Sequence, residues 1–134
     1  MATKVRLLER KVAMSVNLDG DQNFVHVVLS GDLTKDTLGD AREEASRMLI
    51  ENDTTKLLID VSRGEKKISI FEDFEFTEEH RLHFPNGTRI AMVASLEQRR
   101  SLRHVEAFSQ SDAVYMQLFV DEDEAIDWLV NRSA

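Results

Sequence analysis

Lys56-Leu57-Leu58-Ile59-Asp60-Val61 is the stretch on which the fold turns. It is short and almost continuously apolar. Such a run suits a strand covered on both faces, as in a parallel or mixed sheet. Upstream, Leu38, Ala41, Ala45, Met48 and Leu49 recur at three- and four-residue steps, which predicts one buried helix face. Thr34 is its natural cap, and Asn52-Asp53 ends it. Earlier still, Val12, Met14, Val16 and Leu18 alternate with polar or small residues, the pattern of a strand with one apolar face. Asp19 to Asn23 is turn chemistry, and a second strand runs from Phe24 to about Ser30, so the pair reads as a hairpin.

Downstream, Ser69-Ile70-Phe71-Glu72 has the form of a capping box. Phe74 and Phe76 do not keep a helical period, so an irregular stretch is expected near Phe76-Thr77, then a helical part to about Phe84. Pro85-Asn86-Gly87-Thr88 is a turn, and Arg89 to Ala94 is the next strand. Ser95 to Gln98 is another capping box, with Leu102, Val105 and Phe108 behind it. Val114 to Val120 is the last strand. Asp121 to Glu124 opens a last helix whose acids favour the positive end of the helix dipole, with Ala125, Ile126 and Leu129 as its buried stripe. The order is β-β-α-β-α-β-α-β-α: an α/β chain with a mixed sheet, read as one domain over 1–134.

Composition narrows the function. The 134 residues carry a net charge of −8, the wrong sign for nucleic acid or an anionic membrane. The basic group Lys4, Arg6, Arg10 and Lys11 reads as solubilising charge on a terminus or edge strand. With no cysteine, a disulfide framework, a thiolate metal site and a cysteine nucleophile are excluded. No apolar run approaches the roughly 20 residues of a membrane helix, and no signal peptide is visible, so the expected location is cytoplasmic.

The element order and several local motifs together resemble the SpoIIAA-like family of bacterial proteins, over roughly Phe24 to Leu129. The motifs are Leu29 to Asp36 at the strand–glycine–helix entry, Lys56 to Asp60 in the central strand, and the spaced set Asp73, Phe76, His80 and Phe84. Arg89 to Val93 and Ala125 to Leu129 complete them. The resemblance implies a STAS-type fold, also likened to lipid-transfer domains of the CRAL-TRIO type. Members of the family often carry a tryptophan early in the second helix and another early in the third; here Phe71 and Glu97-Gln98-Arg99 stand there. Anti-sigma-factor antagonists of the wider STAS group carry a phosphorylated serine after the third strand. Ser69 lies near the corresponding helix start without the flanking motif.

Each candidate for chemistry has a plainer reading. His80 and His83, beside Glu79, could share a helix face, but nothing nominates a third ligand, so no metal is expected. His80, which matches the family pattern, is expected to pack under the sheet edge. Asp60 falls at the expected end of a central strand, where functional groups of α/β sheets gather; the plainer role is to accept N–H bonds from the next residues. Ser62, Ser69 and Ser95 lie in no nucleophile elbow, and Ser69 and Ser95 are explained as caps. Glycines are too sparse for a phosphate loop, and the acids at 121–124 lack the calcium-loop alternation.

The sequence therefore reads as a non-enzymatic binding or regulatory module without a cofactor. One version binds a small apolar or lipid-like ligand. Its site would lie where the strands ending at Ser30, Asp60 and Ala94 meet helix starts, with Asp32, Asp60, Ser62, His80 and Ser95 as polar groups. Phe71 and Phe74 would be an apolar wall there or else fill the core. The alternative is a STAS-type protein-interaction module working through surface contacts, with Ser69 as its phosphosite. A homodimer is compatible with either.

Overall fold

The computed structural model describes residues 3–9, 12–108 and 113–131. Six strands form one sheet in chain order: β1 (Thr3–Glu9), β2 (Val12–Asp19), β3 (Phe24–Leu33), β4 (Lys56–Lys66), β5 (Thr88–Val93) and β6 (Val114–Phe119). The first three pair antiparallel, and β3 to β6 pair parallel. The helices are α1 (Lys35–Glu51), α2 (Ile70–Glu78), α3 (His80–His83), α4 (Leu96–Phe108) and α5 (Glu122–Asn131). The mixed α/β fold expected from the sequence is present, with one strand more than expected. β1 is that strand, an edge strand carrying Lys4 and Arg6; Arg10 and Lys11 lie outside the described residues.

Strand alternation sorts the core into two layers. Val25, Val27, Leu29, Leu57, Ile90, Met92 and Met116 face α1 and α4 on one side. Phe24, Leu58, Ala91 and Val93 face α5 on the other, against Ala125, Trp128 and Leu129. The run at 56–61 is apolar throughout because β4 is central and covered on both faces. The helix starts carry the side chains expected of them. Thr34 accepts from Thr37 N at 3.2 Å, Ser69 from Glu72 N at 3.1 Å and Ser95 from Gln98 N at 3.2 Å. At the turn before β5, Gly87 adopts φ +90°, a conformation glycine takes without a Cβ penalty.

Two strands run longer than the sequence indicates. β3 continues past Ser30 to Leu33, and β4 past Asp60 to Lys66, pairing Gly31 with Gly64 and Leu33 with Lys66. Glycines and charges conceal this extension, whose strand character comes from pairing and not from side-chain alternation. The register steps from Val28↔Asp60 to Ser30↔Arg63, so β4 carries one extra residue, a bulge. Pairing of β4 with β5 stops at Asp60↔Val93. Beyond that point β3 and β4 run on together while β5 gives way to α4, and an interior space opens beneath the extension.

Candidate functional site

That space is a cavity of about 700 Å³. Leu33, Leu38, Val61, Met92, Leu102 and Met116 supply apolar lining, while Ser69, Ile70, Ser95 and Glu97 belong to the starts of α2 and α4. The cavity exists because two neighbouring helices begin beyond a strand that has already stopped. Gln98 spans the gap: its Nε2 donates to Val61 O at 2.9 Å and Gly64 O at 2.7 Å. Gly64 allows a close approach: a methyl there would come 2.7 Å from Leu33 Cδ1, so the buried Leu33 side chain would have to shift.

The inner face of α2 and α3 brings Asp73, Phe76, Thr77 and His80 to the cavity. Lys66 Nζ lies 2.5 Å from Asp73 Oδ2, and Asp73 is buried. Burial pushes the Lys66 ammonium below its ordinary value, and Asp73 opposes that shift. The His80 ring packs edge-on between Phe76 and Phe84, with both centroid distances 5.3 Å. Arg42 lies 4.0 Å over the Phe76 ring and donates to Phe76 O at 2.7 Å. Arg42 Nη1 also stands 3.4 Å from His80 Nδ1. Arg42 can only donate, so Nδ1 accepts and the imidazole proton is assigned to Nε2. Burial, reinforced by Arg42, lowers the His80 pKa to about 3, so the ring is neutral near pH 7.

The residues singled out in the sequence separate into three groups. Ser62, Ser69, His80 and Ser95 line the cavity. Asp32 and Asp60 do not line it; both lie within strands and not, as expected, in the loops after them. Asp60 Oδ1 accepts from Ser62 N at 2.9 Å and Ser62 Oγ at 2.6 Å, which holds the bulge. Phe71 and Phe74 neither wall the cavity nor fill the core; they are 68% and 38% exposed. The helical period explains this: with Asp73, Phe76, Thr77 and His80 turned inward, positions 71 and 74 fall on the outer side. The two histidines also diverge, His80 being buried and His83 exposed. Sequence reasoning missed Lys66 and Gln98 as site residues. Lys66 lies in the unrecognised strand extension, and Gln98 reads only as a cap.

A SpoIIAA-like family profile matches residues 24–130, and the chain belongs to that family. No curated protein matches it. An uncharacterised protein with a SpoIIAA-like fold from Shewanella loihica superposes with a TM-score of 0.57 at 19% identity, covering 94% of this chain and 99% of the other. An anti-sigma factor antagonist from Mycobacterium paratuberculosis superposes at 0.60 with 19% identity, covering 88% and 93%. At these identities the likeness is one of fold. Among the described residues, no helix is long and apolar enough to cross a membrane.

Proposed function

We propose that this chain is a protein-interaction module of the STAS kind, acting through the surface at the starts of α2 and α4. The observation that carries this is three large apolar side chains turned to solvent there: Ile70 at 67%, Phe71 at 68% and Leu96 at 73% exposure. Helix starts have no folding reason to expose such residues together, and an exposed apolar group beside polar ones suits a partner. The fold likeness to an anti-sigma factor antagonist supports the same reading. Exposed Ser69 sits within this surface and is the position where such contact would be switched. A phosphate there would gain from the positive end of α2. It would also displace the Ser69–Glu72 box and add charge beside Glu72 and Asp73.

The test is affinity capture with the wild-type chain, followed by reconstitution with the purified partner. Phe71→Asp and Leu96→Asp should each weaken binding by about tenfold or more. Asp21→Asn, in the turn between β2 and β3, should leave it unchanged. A partner that binds both apolar-surface variants as tightly as wild type defeats the reading. The cavity behind this surface favours a second reading, a small apolar ligand.

A further inference from the structure

Building on that second reading, we infer that the cavity between the β3–β4 extension and α2–α4 takes a neutral, largely apolar molecule bearing one hydrogen-bond acceptor, not an ionised lipid. The space is ligand-sized, at about 700 Å³, and much of its lining is aliphatic or thioether. Its interior charges are already matched: Lys66 is held by Asp73 at 2.5 Å. A carboxylate entering here would lose its hydration and find the buried ammonium occupied. Glu97 also lines the cavity and opposes an anion, while Glu65 at the rim is paired with Lys67 at 3.0 Å. Arg100 is the remaining cation among the described lining residues, and it is exposed beside Glu97.

The uncharged polar groups fit a neutral guest. His80 is a neutral ring whose Nδ1 faces Arg42, which leaves Nε2–H as its donor. The buried Thr77 hydroxyl lines the same space, one helical turn before His80. A carbonyl or ester oxygen can accept from such groups with no charge to desolvate. Met92 and Met116 give the apolar end an adaptable surface.

The experiment is a matched pair of probes, methyl nonanoate and nonanoate, titrated into the full chain and followed by amide NMR shifts. The ester should shift the amides of Val61, Lys66, Thr77 and Met92 and bind about tenfold or more tighter than the acid. Val61→Phe should remove ester binding by filling the space, and His80→Phe should weaken it several-fold. If Val61→Phe does not fold, Leu38→Phe serves the same purpose. Nonanoate binding as tightly as the ester, and lost in Arg100→Gln, overturns the neutral-ligand assignment while leaving a ligand site. Neither probe binding, or ester binding untouched in a folded cavity-filled variant, overturns the ligand site itself.

Discussion

Lys66 at the end of β4 and Asp73 on the inner face of α2 form an ion pair of 2.5 Å at the wall of the cavity. The pair ties the strand extension to the helix that follows it. The Asp73 side chain is 4% exposed and that of Lys66 21%, so removing the lysine leaves a carboxylate with little water to replace it. Lys66→Met should destabilise by about 3 kcal/mol, the lower end for a broken buried pair. The double variant Lys66→Met/Asp73→Leu should recover part of that loss. Urea unfolding of both variants and the wild type checks this, and a double variant less stable than Lys66→Met counts against the pairing.

His80 makes stability depend on pH. Its folded pKa of about 3 lies below the ordinary 6.5. The unfolded chain therefore binds the proton first as pH falls. The stability is fully present above about 6.5 and is lost as pH drops from there toward 3. The slope is about 1.4 kcal/mol per pH unit, or roughly 2 kcal/mol between pH 6.5 and pH 5. Arg42, Lys66 and His83 act on His80 in the same direction, each disfavouring the imidazolium. His80→Phe should flatten the curve between pH 7 and pH 5, a window chosen to lie above most carboxylate titration. Equal slopes for wild type and variant would remove His80 as the cause.

Ser69 and Glu72 cap α2 reciprocally: Ser69 N donates to Glu72 Oε1 at 2.9 Å while Ser69 Oγ accepts from Glu72 N. The backbone bond holds the Glu72 carboxyl below its usual pKa. Ser69→Ala should cost about 1 kcal/mol, and Ser69→Asp, which also caps, should cost less. Chemical denaturation at pH 7 distinguishes them; equal losses would mean that the hydroxyl does not cap.

Gln98 joins α4 to the bulged part of β4 through two carbonyls. Gln98→Leu keeps the bulk and removes the donors, leaving Val61 O and Gly64 O to water or to nothing. The expected loss is about 1–3 kcal/mol. Hydrogen exchange should quicken in the segment from Val61 to Lys66 more than at Leu57 or Leu58. Uniform acceleration across β4 would show that Gln98 does not hold the extension specifically.

The sequence by itself determined the helices, the central strands and the layering. Those are local properties: caps at Thr34, Ser69 and Ser95, three- and four-residue steps in α1, and the apolar run at 56–61 each act within a few residues. The inward face of α2 and α3 was not legible: Asp73, Phe76, His80 and Phe84 stood out only as a set resembling the family pattern, and Phe71 and Phe74 were the expected apolar face. Only the tertiary structure decided where the strands end and what lies beyond them. Gly31, Gly64 and the charged residues around them become strand because β3 and β4 hold each other, which no single segment encodes. From that pairing follow the cavity, the burial of Lys66 against Asp73, and the contact of Gln98 with a strand 34 to 37 residues away. The exposure of Phe71 was hidden for the same kind of reason. Which side of a helix is inside depends on what packs against it, and a phenylalanine carries no mark of its partner.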